Sequence, residues 1–378
     1  MNQIYLDGHS TTPLAPEALE AMMPWWHAQT GNPHSPHLRG MLASQAVESA
    51  RAELAALVSA DSQEVVFTSG ATEANNIAIR GIAFAALESG LDRRRIIVSA
   101  IEHKSVLSSA GSLNGLGFQV IEAPVTREGL VDLEQLAALV DDQTLMVSVM
   151  AVNNEVGSIQ PTARVVELAR AAGALVHVDA AQAVGKLPLD FTDFDLASIS
   201  SHKVYGPMGI GALFVSSASS LRPLPVQFGG SQESGIRPGT VPTPLVVGFG
   251  VAAKIARERL NADSSHAAGL AAKLLDQLRS LQTKFLENIP ETTRVPGSIS
   301  IRFPGHDAIS IIGRIGYRLA ISEGSACNSG QINQSHVLSA MGYTAQEASE
   351  TVRIYCSRFN TQNEVIEAAR ILSDSVRD

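Results

Sequence analysis

Short runs of apolar, β-branched residues alternate with helical patterns through the first part of the chain. Seven such runs predict strands at residues 65–68, 96–99, 118–122, 145–151, 175–179, 196–200 and 211–215. Between them, Asp132 with Gln135 is a predicted helix start, and Pro161 with Thr162 opens a helix that runs to Ala171. Alternating strands and helices are typical of an α/β fold, so we expect a mainly parallel, seven-stranded sheet flanked by helices.

The pattern changes beyond residue 228. Residues 229–242 are rich in Gly, Ser and Pro, and a long helical pattern follows from Leu245 to about Leu281. Residues 297–303 alternate like a half-buried strand, and Thr361 with Glu364 forms a capping box before a last helix at 365–376. We therefore expect a large α/β domain at 15–255. A smaller α+β domain is predicted from residues 1–14 and 256–378.

Composition and charge exclude several classes of function. Hydrophobic residues make up 45% of the 378 residues and charged residues 17%, as in a globular protein. The formal net charge of −9 argues against direct binding to a nucleic acid. No apolar stretch is long enough to span a bilayer and the N-terminus has no signal-peptide pattern, so we expect a cytoplasmic protein without membrane contact.

The two cysteines, Cys327 and Cys356, are too few for a disulfide framework or a four-cysteine zinc site. We expect at least one of them to act as a thiol. His34 and His37 have the spacing of a metal-ligand pair, but prolines interleave with them and no acidic residue lies nearby. No metal site is therefore predicted.

Polar residues follow several predicted strands, at the sheet edge where α/β folds bind their ligands. Asp179 ends one strand, and Lys203 follows another. Taken singly, such an aspartate is more often a helix cap, and such a lysine is more often solvated. Together they provide a reactive amine and a counter-charge. Pyridoxal phosphate requires both, because a facing carboxylate keeps its ring nitrogen protonated.

Further residues fit the same cofactor. The sequence SGATE at 69–73 turns a strand into a helix whose free N–H groups can bind a phosphate. Gln182 and Asn154 follow neighbouring strands and can contact the cofactor ring from one side. His103 could lie flat on the ring, although a single histidine is more often an ordinary core or surface residue.

Seven motifs, in preserved order and spacing, resemble those of the NifS/IscS-like cysteine desulfurases in the class V aminotransferase group. They are SGATE (69–73), EH (102–103), NNEVG (153–157), DAAQ (179–182), SHKVYGP (201–207), RPGT (237–240) and SAC (325–327). The resemblance extends from Tyr5 to Arg353, nearly the whole chain. It implies a fold-type I transferase dependent on pyridoxal 5'-phosphate, a homodimer, and conversion of L-cysteine to L-alanine.

The resemblance assigns cofactor contacts to matched residues. It implies that Lys203 bonds the cofactor and moves the Cα proton of the substrate. Asp179 would pair with the ring nitrogen, Gln182 with the ring oxygen, and His103 would stack on the ring. The implied phosphate ligands are Ala71, Thr72, Ser200 and His202, together with Thr240, which reaches the phosphate of the neighbouring subunit.

The resemblance also assigns substrate contacts. Asn154 and Arg353 match positions near the substrate, and Arg353 would bind its carboxylate because a planar guanidinium can hold both oxygens. Asn32 lies in a segment that resembles the substrate-side loop of the family.

Cys327 determines the reaction that the resemblance implies. As a thiolate it would attack Sγ of the bound cysteine and become a persulfide. Burial in the core, the commoner fate of a free cysteine, fits Cys356 better, because residues 352–356 alternate like a strand. The stretch from Cys327 to Gly342 resembles the long-loop, group I form of the family, in which the cysteine can reach a sulfur-acceptor protein directly.

Two other functions remain open from the sequence. A selenocysteine lyase or another class V aminotransferase would release its product without passing sulfur through Cys327. A non-catalytic sulfur carrier would use Cys327 alone.

The chain departs from the family pattern at three places. Gly8, His9 and Ser10 stand where the family usually has a triplet that ends in Ala, and Ser234 replaces a commonly basic residue. The sequence ends at Asp378 without the extended tail with which housekeeping members dock an iron–sulfur scaffold. The acceptor is therefore expected in iron–sulfur cluster assembly, in thiolation, or in a dedicated pathway such as DNA phosphorothioation.

Overall fold

A computed structural model describes residues 3–324 and 335–377 of the chain. The strands are β1 Ile4–Tyr5, β2 Val65–Thr68, β3 Arg95–Ser99, β4 Gln119–Ala123, β5 Thr144–Ser148, β6 Leu175–Asp179, β7 Leu196–Ser200, β8 Gly211–Val215, β9 Leu286–Glu287, β10 Ser298–Arg302, β11 Leu319–Ala320, β12 Ser322–Glu323 and β13 Thr351–Tyr355. The helices are α1 Pro16–Trp26, α2 Leu38–Leu57, α3 Ala71–Asn76, α4 Ile82–Glu88, α5 Lys104–Gly111, α6 Leu133–Leu139, α7 Thr162–Ala171, α8 Thr243–Ser280, α9 Ala308–Ile315, α10 His336–Ala340, α11 Ala345–Ser349 and α12 Gln362–Ser375. A π-helical segment, Ile77–Gly81, joins α3 to α4.

A seven-stranded sheet forms the centre of the fold, in the order β2-β8-β7-β6-β5-β3-β4. Only β8 runs antiparallel to its neighbours, β2 and β7, and the other pairs are parallel. Apolar side chains on the two faces of this sheet belong to two hydrophobic clusters, one with α2, α7 and the start of α8 and the other with α3, α4 and α5. The predicted α/β fold with a mainly parallel, seven-stranded sheet is confirmed.

The strand predicted at 145–151 is shorter than its apolar run. β5 ends at Ser148, and the main-chain N–H of Met150 donates to the carboxylate of Glu102 at 2.6 Å. On the side of β3, the Glu102 carboxylate thus replaces the main-chain acceptor that a longer strand would provide. The chain then continues toward Asn154. The predicted caps are present, because Asp132 accepts from two N–H groups of α6 and Thr361 forms its capping box with Glu364.

A third hydrophobic cluster lies around the antiparallel sheet β12-β13-β10-β9 and includes Ile4 and Leu6 from the N-terminus. The 38-residue helix α8 contributes to both parts: Phe249 and Ala256 to the cluster on the seven-stranded sheet, Leu270 and Leu274 to this one. The division into 15–255 and 1–14 plus 256–378 stays a prediction, and it places the break within α8. No helix in the described ranges is both long and apolar enough to cross a membrane.

Candidate active site

A cavity of about 420 Å³ opens at the carboxyl ends of β2, β3, β5, β6 and β7. Residues after each of these strands line it, and Arg353 from β13 with the N-terminal His9 and Ser10 close another side. Nine residues predicted for the site line the cavity: Ala71, Thr72, His103, Asn154, Asp179, Gln182, Ser200, His202 and Lys203. Arg353 is the tenth. The position follows from the topology, since parallel strands end at one edge of a sheet.

Asp179 is a buried carboxyl group held in place by two donors. Asn75 Nδ2 donates to its Oδ2 at 2.8 Å, and the N–H of Ala181 donates to its Oδ1 at 3.0 Å. Asn75 is itself fully buried and also contacts the Ser105 hydroxyl at 2.9 Å. Nothing in the sequence pattern singles out Asn75, although it lies just beyond the SGATE motif in α3.

The helix that starts at Ala71 has no side-chain cap at its N-terminus. Gly70, at the N-cap position, has φ +153, and an added Cβ at Gly211 in β8 would lie 2.6 Å from Gly70 Cα. The turn therefore approaches β8 too closely for larger residues. The N–H groups of the first helical turn are left for an anion in the cavity. Glu73 carboxylate oxygens bind the guanidinium of Arg237, at 3.0 Å for the shorter contact, so that they do not face the cavity as a free negative charge.

His202 and Lys203 lie beside the N-terminal segment. His202 Nδ1 is 3.1 Å from the Thr11 hydroxyl, and its main-chain oxygen accepts from the N–H of Thr12 at 2.8 Å. Burial and the nearby Lys203 lower the pKa of His202 to about 4, so that its imidazole is neutral. The amine of Lys203 donates to the main-chain oxygens of His9 and Ser10.

Gln182 belongs to a buried polar network. Its Oε1 accepts from Lys186 Nζ at 2.8 Å and lies 2.9 Å from His9 Nδ1, while its Nε2 donates to the main-chain oxygen of His9 at 2.8 Å. Because a carbonyl can only accept, this last contact fixes the orientation of the amide. Burial and Lys186 hold the pKa of His9 well below its usual value, and burial with the nearby Lys203 does the same for Lys186.

Arg353 is buried and binds several groups around the cavity. Its Nη1 donates to the main-chain oxygen of Asn154 at 2.9 Å. Its Nη2 lies 3.1 Å from Asp7 Oδ1, 2.6 Å from Ser10 Oγ and 2.7 Å from Ser322 Oγ. Its Nε has no partner among the described residues. A buried guanidinium with unused donors suits the binding of a carboxylate.

His103 caps α5 from the cavity side. Its Nδ1 accepts from the N–H of Ser105 at 3.1 Å and is 2.8 Å from the Ser105 hydroxyl. The preceding residue, Glu102, is fully buried, and burial raises the pKa of its carboxyl well above the usual value. Sequence reasoning gave no role to Glu102, whose contact with Met150 shapes the turn that leads to Asn154.

Two predicted site residues, Thr240 and Asn32, do not line the cavity as described. Thr240 is exposed, and so is Asn32, whose side chain accepts from the N–H of His34 at 3.0 Å. Cys327 lies outside the described residues, but Gly324 before it and His336 after it line the cavity. Cys356 is fully buried, and burial raises its pKa to about 12, so its thiol is no nucleophile at neutral pH.

Comparison with known proteins identifies the family. The family model described as aminotransferase class V matches residues 4–367. The chain belongs to the class V aminotransferase family.

Relatives within the class V family narrow the activity. A cysteine desulfurase IscS of Rickettsia bellii is 43% identical over 376 residues, which are 99% of this chain and 91% of that protein. A solved structure of a NifS-like protein has a TM-score of 0.91 at 34% identity and covers 99% of both chains. A structure described as SspA in complex with cysteine has a TM-score of 0.83 at 35% identity, over 95% of this chain and 100% of that one. This class V protein is accordingly a cysteine desulfurase.

The class V family uses pyridoxal phosphate, and the residues around the cavity fit that cofactor. Asp179 offers a carboxyl group fixed by Asn75, Lys203 an amine, and the uncapped helix start at Ala71 an anion site. In the described part of the chain, Asn154 Oδ1 is buried without a hydrogen-bond partner and lines the same cavity. An unpaired buried amide oxygen is costly, so a ligand there would satisfy it.

Proposed function

We propose that this cysteine desulfurase binds pyridoxal 5'-phosphate in the cavity described above, with Lys203 as the residue that bonds it. Asp179 would face the ring nitrogen, Gln182 the ring oxygen, and His103 the ring plane. The phosphate would lie against the start of α3. The supporting observation is Asp179, a buried carboxylate that is held by Asn75 and shares one cavity with Lys203 and Arg353.

When bound, the cofactor withdraws electrons from the Cα of the amino acid. Three residues of the chain would bind the substrate, move its proton and accept its sulfur. Arg353 would bind the substrate carboxylate, and Lys203 would move the proton at Cα. Cys327 would take the sulfur: the Cβ–Sγ bond of cysteine breaks, an S–S bond forms on Cys327, and the carbon gains a proton to give L-alanine. Cysteine and one thiol thus yield alanine and one persulfide, without an outside oxidant or reductant.

The two cysteines allow a matched test of this route. In Cys327→Ser, alanine formation from L-cysteine should be lost, whereas Cys356→Ala should retain it because that thiol is buried. After reaction with L-cysteine, the intact mass should rise by one sulfur atom in the wild type but not in Cys327→Ser. Undiminished alanine formation by Cys327→Ser would reject the persulfide route and favour a lyase. A 2-oxo acid as product would favour an aminotransferase.

A second test concerns the cofactor itself. The purified protein should show the visible absorbance of bound pyridoxal phosphate, and Lys203→Ala should lose the band of the covalently bound form. Lys254→Ala, in α8 and outside the cavity, is the control and should keep it. An unchanged spectrum in Lys203→Ala would reject Lys203 as the bonded residue and would leave the persulfide test unaffected.

We also propose a homodimer. Large apolar side chains are exposed on α1 and at the start of α2, namely Leu19, Met23, Trp26, Leu38, Met41 and Leu42. An apolar patch of this kind on a globular protein is typical of an interaction site. Thr240 is exposed as well, as expected of a residue that reaches the phosphate of a second subunit. Light scattering should give the mass of two chains, and Trp26→Glu should lower it, whereas a fully active monomer would contradict the proposal.

The sulfur acceptor is proposed to be a protein, in iron–sulfur cluster assembly, thiolation or DNA phosphorothioation. A cytoplasmic location is proposed with it, because a reducing compartment keeps a catalytic thiol from forming disulfides. The test uses cysteine labelled at sulfur, followed by isolation of whatever protein carries the label. Label that leaves only as free sulfide would contradict a protein acceptor.

A further inference from the structure

Ser10 departs from the usual alanine of the family, and its side chain lies in the site. It is half-buried, lines the cavity, and accepts a hydrogen bond from Arg353 Nη2 at 2.6 Å. Its main-chain oxygen also accepts from the amine of Lys203 at 2.6 Å. Ser10 therefore contacts two of the residues proposed to handle the substrate, Arg353 through its hydroxyl and Lys203 through its main chain.

The Ser10 hydroxyl has one hydrogen-bond function that the described residues leave open. A serine hydroxyl is one donor and can accept twice, and Ser10 Oγ accepts from Arg353. Across residues 3–324 and 335–377, no group accepts a hydrogen bond from Ser10 Oγ. The donor is left for a ligand in the cavity.

Ser322 provides an internal comparison. Its hydroxyl accepts from the same nitrogen, Arg353 Nη2, at 2.7 Å, but it donates to Asp7 Oδ1 at 2.9 Å. Both of its functions are thus satisfied within the protein, and it does not line the cavity. Both serines accept a hydrogen bond from Arg353 at nearly the same distance. Of the two, Ser10 is the one whose hydroxyl hydrogen remains available to a ligand in the cavity.

We propose that Ser10 is a substrate-contact residue that donates its hydroxyl hydrogen to the α-carboxylate held by Arg353, and so favours amino acids over amines. The inference rests on the proposed function for the identity of the substrate. Arg353 supplies charge to the carboxylate, and Ser10 adds a neutral donor on the same side. A hydrogen bond to an ionised group is stronger than a neutral one, so this contact is sensitive to the presence of the carboxylate.

The test compares Ser10→Ala with Ser322→Ala in the cofactor-loaded protein. Binding of L-alanine, which keeps the carboxylate, and of cysteamine, which lacks it, is measured by calorimetry without turnover. We expect Ser10→Ala to weaken L-alanine binding by about ten- to a hundred-fold, the usual effect of one hydrogen bond to a charged group, and to leave cysteamine binding within about two-fold. Ser322→Ala should produce less than half of the Ser10→Ala change in the free energy of L-alanine binding.

Steady-state kinetics give a second readout. In Ser10→Ala the KM for L-cysteine should rise by a similar factor while kcat stays within about two-fold, because the carboxylate contact is present before and during reaction. Equal losses in the two serine variants, an equal loss for cysteamine, or unchanged L-alanine binding would overturn the proposal. A wild-type protein that forms no alanine from L-cysteine would reject the proposed function instead, and the calorimetric comparison would still decide the role of Ser10.

Discussion

Asn75 and Asp179 form a buried pair in which the amide of Asn75 donates to the carboxylate of Asp179 at 2.8 Å. The contact joins α3 to the end of β6, so the element that would bind the phosphate also orients the anion that would face the ring. The position of Asp179 is thus set by more than the strand that carries it.

Asn75→Ala should weaken both the fold and the retention of the cofactor. Removal of one donor from a buried carboxylate costs about 1–3 kcal/mol, measured by urea unfolding. Asn75→Asp should cost more at neutral pH, because it places a second carboxyl against Asp179. Asn76→Ala is the matched control, since the adjacent side chain donates to the main-chain oxygen of Thr72 and, in the part of the chain that the structure describes, does not contact Asp179. Equal stability and equal cofactor content after dialysis in all three variants would contradict a role for this contact.

Glu233 should stabilise the loop that leads to Thr240. Its two oxygens bind the guanidinium of Arg51 at 2.8 Å each, and one also accepts from the N–H of Phe67 at 2.6 Å. Its side chain is only 4% exposed. We expect Glu233→Gln to lower the free energy of unfolding by about 3 kcal/mol, because it removes the buried carboxylate partner of Arg51. Arg51 would keep Glu48 at 3.2 Å, but that side chain is 61% exposed and compensates little.

The control for Glu233 is an exposed pair, Arg164 and Glu167 on α7, whose side chains are 63% and 60% exposed. Glu167→Gln should change the stability by less than about 0.5 kcal/mol, because surface ion pairs contribute little. A cost for Glu233→Gln no larger than this control value would show that the loop does not depend on the pair.

Because of His177, the free energy of unfolding should decrease as the pH is lowered. This residue is fully buried between the hydroxyls of Ser148, at 2.8 Å, and Ser198, at 3.1 Å, and burial lowers its pKa from 6.5 to about 4. Between these two values the unfolded chain binds a proton that the folded chain does not, so acid favours unfolding. From pH 7 to pH 5 this one group should remove about 2 kcal/mol of stability.

The measurement is the free energy of unfolding in urea at several pH values, for the wild type and for His177→Gln. The glutamine variant is less stable at pH 7 but should lose about 2 kcal/mol less on acidification. His34→Gln, at an exposed position, should keep the wild-type slope. Parallel curves for the wild type and His177→Gln would contradict the burial argument.

Two glycine-to-alanine changes should have opposite signs. Gly157 has φ +81, and a Cβ there would lie 2.1 Å from Ser298 Oγ, so Gly157→Ala should destabilise by at least about 2 kcal/mol. Ser298 also contacts His9 Nε2 at 3.0 Å, and the change should therefore reach the site. Gly269 lies exposed within α8 with no atom near its Cβ position, and Gly269→Ala should stabilise by about 0.5–1 kcal/mol. The measurement is the melting temperature of both variants relative to the wild type. Two shifts of the same sign would contradict the prediction.

The sequence was sufficient for the sheet and for most lining residues, because each of these depends on local order along the chain. Asp179 and Lys203 follow strands, and strand ends meet at one edge. Their supporting contacts could not be predicted. In the sequence, Lys186 has the appearance of an ordinary solvated lysine. In the fold, the Lys186 amine lies over the ring of Tyr355, 4.7 Å from the ring centre. Such partners lie far apart in the sequence, and a single sequence carries no signal for long-range pairs.

The end of β5 is a similar case. Its apolar run continues to Ala151, and only the contact of Glu102 with Met150 shows why the strand stops at Ser148. In the sequence, Glu102 stands out only as the neighbour of His103, and nothing there indicates a role for its own carboxyl. Side chains that bind main-chain groups of another segment set such boundaries, and periodicity does not reveal them.

The contact between Asp7 and Arg353, at 3.1 Å, joins the two extremes of the chain across the cavity. Nearly the entire polypeptide must therefore be synthesised before the cavity is complete. A truncated product that lacks β13 would also lack Arg353, the residue proposed to bind the substrate carboxylate, so we expect no reaction with cysteine before the last part of the chain is made.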